Sequence, residues 1–369
     1  MKAPHIPFLA AVKEKTAGNL KVFSKDYLPT GVIPIVDQGQ ALVGGYTNVL
    51  ENIYQGELPC IVFGDHTRAF KYIDFPFALG ADGVKILRPF GPELTPEFLF
   101  WYFKSLQLPS LGYSRHYKLL KSISVPVPPL AEQRQIVDLL TRASGIRRLA
   151  EAAEARARAL PAALFVDMFG DPATNPKDWP VQPLGSLVQL VSGGTPTRSN
   201  PLFWQGSIPW VSAKDMKPQV INTSQELITE IGLKQSATNL IPKGSVLIVV
   251  RGMILSHTVP IRVTSAPVTI NQDLKAMIPK AQVTGEFIRW MLQVSHSQLI
   301  QRVGTAAHGT TKLDTDVLTS WLVPLPPLSL QHSFANHISE IEGIRAQAAR
   351  ASATADALTK SLMADLFTD

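Results

Sequence analysis

Residues 122–171 align with residues 320–369 at a constant offset of 198 positions, without a gap, and 20 of the 50 pairs are identical. A chain of 369 residues that writes one long segment twice, the second time at its own C-terminus, is built in two halves. Each copy opens on a proline-marked connector, "SISVPVPPL" at 122–130 and "SWLVPLPPL" at 320–328. Each closes on a matching phrase, "LFVDMFGD" at 164–171 and "LMADLFTD" at 362–369. A Pro-Pro pair gives a stiff, extended entry that ends where a helix can start. The repeat therefore predicts a first domain over 1–130, a helix over 131–171, a second domain over 172–328 and a helix over 329–369.

In the first helical segment Leu139, Ala143, Ile146, Ala150, Ala153, Ala157, Leu160 and Leu164 alternate at spacings of four and three, which is a heptad seam. The offset carries this seam to Ile341, Ile344, Ala348, Ala351, Ala355, Leu358 and Leu362, with His337 where Leu139 stands. Alanine in the middle of both seams brings helix axes close, so Ala153 and Ala351 are expected at the tight approach. About 38 helical residues span roughly 57 Å. A lone helix of this kind is marginal in water, and a second copy offers a surface on which to bury the stripe. The alternative is that each helix packs on its own domain. Pro161 should kink or interrupt the first helix; Thr359 replaces it in the second.

The segments before each connector read alike. Short apolar runs ("GVIPIV", "LPCIVFG", "SVLIVVRG", "SAPVTINQD") alternate with Gly, Pro, Asn and Asp turns, as strands of a twisted or partly barrelled sheet do. Near the end of each comes a short helix, "TPEFLFWYFKSL" at 95–106 and "TGEFIRWMLQVS" at 284–295, opening on Thr with Glu close behind. The expected fold class is α+β: two mostly β domains with short helices, joined by two long antiparallel helices in a pseudo-two-fold dumbbell.

Hydrophobic content of 45% with 17% charged residues describes a folded chain. The longest aliphatic run, "SVLIVV" at 245–250, is too short to cross a bilayer, and the opening residues do not read as a secretory signal. One cysteine, Cys60, excludes an internal disulfide framework and a Cys-rich zinc site. A cytoplasmic protein with no membrane partner is expected. The net charge of +6 sits in the two domains: 13 basic and 10 acidic residues over 1–130, and 13 and 8 over 172–328. That fits domains that meet phosphate and helices that meet protein, although ordinary solubility charge also produces a bias this small.

Catalytic constellations are missing from the sequence. There is no G-x-x-x-x-G-K-[ST] loop, H-E-x-x-H, G-x-S-x-G or G-x-G-x-x-G, and the eight histidines are scattered. The Pro-Pro pairs are flanked by Val and Leu, which offer a flipped base nothing to bond. The Asp65-His66 pair reads more readily as a capped turn than as a base. No metal or catalytic residue is expected in this chain.

The segment "VQPLGSLVQLVSGGTPTRSNPLFWQGSIPWVSAKDM" at 181–216, with Ser-Gly-Gly-Thr-Pro at 192–196, Phe-Trp at 203–204 and Ile-Pro-Trp-Val-Ser-Ala-Lys-Asp-Met at 208–216, resembles the opening of a target-recognition domain. The family is the specificity subunit of Type I restriction–modification enzymes. "VPVPPLAEQRQIV" at 125–137 resembles that family's junction into its spacer helix. The first domain departs from the pattern, since "IPFLAAVKEK" at 6–15 stands where no SGGTP segment follows. The resemblance implies a subunit without catalytic activity that reads a bipartite, asymmetric double-stranded DNA target, one half per domain, with the helix pair setting the unread gap. It implies two modification subunits, which bind S-adenosylmethionine and methylate adenine N6, and two restriction subunits driven by ATP with Mg. No cofactor is implied on this chain. A stand-alone DNA-binding regulator and a two-domain protein-binding adaptor are the competing readings.

DNA contacts are expected from polar and basic residues in loops. In the first domain these are Arg68, Lys71, Arg115, His116, Tyr117 and Lys118, and in the second Thr195, Thr197, Arg198, Lys214, Lys217, Arg251, His257, Thr311 and Lys312. Trp204, Trp210 and Trp321 are expected to pack in the core or at the junction.

Overall fold

The computed structural model of the chain describes residues 3–81, 83–112, 114–305 and 311–367. It divides into two compact units, Met1–Glu151 with Ala349–Asp369, and Ala152–Ala348. Two helices of 40 residues each, Leu130–Phe169 and Leu328–Phe367, contribute one half to each unit. The two globular domains are mixed α/β, so the expected fold class holds at that level.

The first domain is built on a four-stranded antiparallel sheet in the order Val12–Glu14, Val84–Pro89, Cys60–Gly64, Phe70–Ile73. A second four-stranded sheet, ordered Lys21–Val22, Ala78–Gly80, Ile33–Val36, Gly45–Thr47, includes parallel pairs. The second domain repeats the first sheet with the strands Val188–Ser192, Leu274–Pro279, Val246–Val249 and Ile261–Thr264 in corresponding order, and adds Val220–Ile221 at the edge. Buried strands such as Cys60–Gly64 and Val246–Val249 are apolar throughout because both faces are covered. The short helices are Pro96–Ser105 and Gly285–Val294. Each is capped by its threonine: Phe98 N–H donates to Thr95 Oγ1 and Phe287 N–H to Thr284 Oγ1, both at 3.2 Å.

Each connector ends a two-stranded ladder before the helix begins, Ser124–Pro126 against His5–Pro7 and Leu322–Pro324 against Val181–Pro183. In the first unit Ile136 and Leu140, at the start of one helix, share a core with Leu362, Met363, Leu366 and Phe367, at the end of the other. In the second unit Phe165 and Phe169 close the first helix against Phe334, near the start of the second. Antiparallel pairing within each unit follows. It also explains the repeated closing phrase, whose Phe169 and Phe367 are equivalent anchors, each seated on a domain. Thr368 and Asp369 of that phrase lie outside the described residues.

The seam differs from the one expected. Ala143, Ala150 and Ala157, with Ala348 and Ala355, are buried, and Leu164, Ile341 and Leu362 are half-buried. Leu139, Ile146 and Leu160, with Ile344 and Leu358, are about half exposed, and Ala153, Ala351 and His337 are exposed as well. The buried flank instead carries Ile136 and Leu140, then Arg147, Glu154 and Pro161. Apolar residues stand on both sides of the alanine row, so periodicity alone cannot choose between them, and the buried side includes charges that a hydrophobic pattern skips. Arg147 faces Asp356 at 3.8 Å in the first unit. Pro161 does not interrupt its helix, which stays continuous to Phe169. At the equivalent place Thr359 Oγ1 donates to the Ala355 carbonyl at 2.7 Å.

The most buried alanines of the seam are Ala143, Ala157 and Ala355, each 3% exposed. Ala157→Leu and Ala355→Leu are each expected to cost about 1–3 kcal/mol by overpacking. Ala153→Leu and Ala351→Leu should stay within about 0.5 kcal/mol. Thermal unfolding of the four variants checks the assignment, and the reverse ranking would contradict it.

Candidate nucleic-acid interface

Strand register fixes which loops share an end. Gly64 pairs with Val84 in the first domain, and Val249 with Leu274 in the second. The residues leaving these pairs, 65–69 with 81 and 83 in one domain and 250–257 with 271–273 in the other, therefore emerge together.

In the first domain Asp65 ties this end together. Its amide donates to the Gly83 carbonyl at 2.6 Å, and its carboxylate accepts from Tyr117 N–H at 2.6 Å. His116 Nδ1 donates to the Asp65 carbonyl at 2.8 Å, while Nε2 accepts from Leu111 N–H at 3.0 Å, which defines the neutral tautomer. The loop after Val36 joins them: Thr67 Oγ1 donates to the Gln38 carbonyl, and His66 N–H donates to Gln38 Oε1 at 3.4 Å.

These contacts sort the expected residues. His116 (1% exposed) and Tyr117 (8%) are scaffold, and the Tyr117 ring packs on Phe8 and Phe63, with burial pushing its hydroxyl up to about 12. Lys71 is buried too. Its ammonium donates to the Asp37 carbonyl at 2.8 Å and pairs with Asp37 Oδ1 at 3.4 Å; burial lowers its pKa, and Asp37 works against that shift. All three are buried, and Lys71 and His116 spend their side-chain polar atoms inside the fold. Arg115 and Lys118 are exposed. Arg68 takes a left-handed backbone (φ 62°) and donates to the Leu108 carbonyl at 2.8 Å. It lines a cleft of about 410 Å³ together with Gln40, Thr67, Lys104 and Gln107.

In the second domain the SGGTP segment is pinned by the tryptophans that follow it. Trp210 Nε1 donates to the Gly194 carbonyl at 2.9 Å and Trp204 Nε1 to the Thr197 carbonyl at 3.2 Å. A Cβ on Gly193 would lie 2.0 Å from the Asn271 carbonyl oxygen, so only glycine permits that approach. Ser212 and Asp215 form a reciprocal cap, and Asp215 also accepts from Gln225 N–H at 2.8 Å. The motif is thus a device that holds the loop at 193–200 in place. Thr195 Oγ1 from this loop donates to Gln272 Oε1. Val250 and Arg251 amides reach the Asp273 carbonyl, and Arg251 forms a β-bridge with Lys312. Gly252 N–H donates to the Thr311 carbonyl at 3.1 Å. Thr195, Arg251, Thr311 and Lys312 therefore lie on connected loops, with Arg251 exposed and Lys312 paired to Asp314 at 2.5 Å.

Arg198 stands apart from that group. Its guanidinium lies over Trp204 (4.1 Å) and Trp210 (4.7 Å) and is bidentate to Glu226, with Nη2 to Oε2 at 3.1 Å. The hydrogen bond from Arg198 holds the Glu226 carboxyl below its usual range. Thr197, Lys214, Lys217 and His257 are exposed, and Lys214 lies close enough to Glu226 to lower its pKa as well. Of the tryptophans, Trp210 is buried and Trp321 packs against the core, but Trp204 is partly open.

A search for basic side chains overlooks Gln38, Gln40 and Gln272. The signal was present, since "VDQGQ" and "TINQD" follow apolar strands, and glutamine is the residue type that pairs bidentately with adenine. Among the described residues no group of three or more His, Cys, Asp or Glu could hold a metal ion, and no helix is long and apolar enough to cross a membrane.

The two domains present corresponding loops at corresponding sheet ends. Residues 176–347 match the Type I restriction modification DNA specificity domain. The chain is 29% identical over 335 residues to the specificity subunit of the Type I restriction enzyme EcoR124I/EcoR124II of Escherichia coli, covering 87% of this chain and 82% of that one. It is 25% identical over 174 residues to the MjaIX specificity subunit of Methanocaldococcus jannaschii, covering 46% and 39%. Its fold matches the Type I restriction–modification S subunit from M. genitalium with a TM-score of 0.66 at 15% identity, over 100% of this chain and 97% of that one. Over most of its length the chain is thus similar to specificity subunits of Type I restriction enzymes, and its second half carries the family's DNA specificity domain.

Proposed function

We propose that the chain reads a bipartite, asymmetric DNA target, with residues 1–130 reading one half-site and 172–328 the other. The two spacer helices, 131–171 and 329–369, set the unread gap between them. The observation that carries this reading is the duplication of the loop set: 65–69 with 81 and 83, and 250–257 with 271–273, leave equivalent strand ends. A chain reading one continuous site needs only one such set. In this reading the reader positions are Arg68, Arg115 and Lys118 in the first domain, with Gln40 added. In the second they are Thr195, Thr197, Arg198, Lys214, Lys217, Arg251, His257, Thr311 and Lys312, with Gln272 added.

The partners are two modification subunits, which carry S-adenosylmethionine and methylate adenine N6, and two restriction subunits, which carry ATP and Mg, all in the cytoplasm. The exposed apolar side chains of the spacer helices, Leu139, Ile146 and Leu358 in the first unit and Leu160 and Ile344 in the second, are where the modification subunits grip. Large apolar side chains at heptad positions of a solvent face, interrupted by Ala153 and Ala351, suit a partner helix.

The test separates charge from sequence. Arg251 is exposed at a strand end, its amide on the Asp273 carbonyl, a mount from which a side chain can be aimed. Arg251→Ala is expected to relax one position of one half-site, costing about 1–3 kcal/mol of discrimination. Arg198 is already held by Glu226 and two indoles, so Arg198→Ala should weaken binding to all sequences alike and lower the salt slope by about one unit. Binding titrations of the assembled methyltransferase at several salt concentrations read both outcomes. Relaxation of both half-sites by one substitution would contradict independent readers.

A further inference from the structure

Gln133 and Gln331 stand at equivalent places in the repeated segment, and both side chains are fully buried (0% exposed) at the starts of the spacer helices. Buried glutamine must fill its hydrogen-bonding capacity, and these two do so in the same way. Gln133 Oε1 accepts from Thr95 N–H at 2.9 Å, while its Nε2 donates to the Glu93 carbonyl at 2.6 Å and the Pro128 carbonyl at 2.8 Å. Gln331 Oε1 accepts from Thr284 N–H at 2.9 Å, while its Nε2 donates to the Gln282 carbonyl at 3.2 Å and the Pro326 carbonyl at 3.0 Å.

One amide thus bonds three backbone groups. Two belong to the turn that starts the domain's short helix, and the third to the Pro-Pro connector. Thr95 and Thr284 are also the N-caps of those helices, which pack on the central sheet of each domain. A cross-link at this point fixes the rotation of the spacer helix against the sheet. The apolar contacts nearby, Phe98 with Phe367 and Phe287 with Phe165, have no directional preference of comparable sharpness.

We infer that Gln133 and Gln331 are positioning residues that set the angle at which each domain is mounted on its spacer helix, and through that angle the stringency of the gap between half-sites. The inference rests on the bipartite reading above. Adding or removing one base pair displaces a half-site by about 3.4 Å and rotates it by about 34°. A domain free to swing on its mount accommodates that change, and a clamped one does not.

The test uses the assembled methyltransferase and duplexes carrying both native half-sites with the native spacer, or a spacer one base pair longer or shorter. Gln133→Leu removes the amide and keeps the bulk. Gln133→Glu keeps the acceptor for Thr95 but sets a carboxylate against two carbonyls, and serves where the leucine variant fails to assemble. Gln331→Leu and Gln331→Glu repeat the design in the other half. Methyl transfer to the altered spacers is expected to rise roughly tenfold relative to the native spacer, the worth of about one hydrogen bond, with half-site preference unchanged. Unchanged spacer stringency together with a lowered melting temperature would make the glutamines ordinary core residues and overturn the inference. If the unsubstituted assembly ignored spacer length altogether, the bipartite reading itself would fall instead.

Discussion

Phe165→Ala is expected to destabilise the second unit by about 3–5 kcal/mol. Phe165 is 1% exposed, stacks on Phe287 at 5.5 Å and 27°, and meets Phe169 at 4.9 Å and Phe334 edge-on at 5.5 Å. Three segments supply that cluster: the end of one long helix, the start of the other, and the domain's short helix. Truncating the ring leaves a cavity whose walls cannot all close, because each is held by a different element. The midpoint of chemical denaturation should fall with little change in slope. The equivalent site in the first unit is Met363, half-buried near Phe98 and Phe367, and Met363→Ala should cost less there. A Phe165→Ala chain as stable as the parent would mean that this helix end is not seated on its domain.

Ile146→Glu with Ile344→Glu is expected to abolish capture of the modification subunits while leaving the chain folded. Both isoleucines are 52% exposed, so the isolated chain loses little by the change. In a complex the exposed half of each isoleucine contributes roughly 0.8–1.5 kcal/mol, so the pair amounts to about a 10- to 100-fold loss of affinity before the cost of burying two carboxylates is added. The mass of the complex formed on mixing with the modification subunit reads the result. Full assembly by the double variant would remove the exposed stripe from the interface.

Much of this fold was legible because the repeat is a statement about backbone rather than about chemistry. A gapless offset requires equal helices, and the alternation of apolar runs with Gly, Pro and Asn turns requires strands. Choosing the buried flank of the helices needed more than periodicity, since Leu139 and Leu140, or Ile146 and Arg147, are adjacent in sequence and point different ways around the helix. Arg147 and Glu154 sit on the inner side because long charged side chains can lay their stems on apolar surface while their ends reach partners. Lys71, His116 and Tyr117 were selected for residue type. Burial depends on the strands and loops that Asp37 and Asp65 draw together across 34 and 52 positions of sequence, which composition cannot report. Trp204 shows the reverse case, an apolar residue that forms part of an open surface because Arg198 needs a face on which to lie.

The central claim is that one chain reads two separate half-sites. A single-molecule map of adenine methylation, made in cells carrying the unsubstituted chain with its modification subunit, tests it most directly. The account predicts a target with two different specified halves, one modified adenine in each, and an unspecified gap of constant length. A continuous target, or a single specified half that is modified without the other, would contradict it.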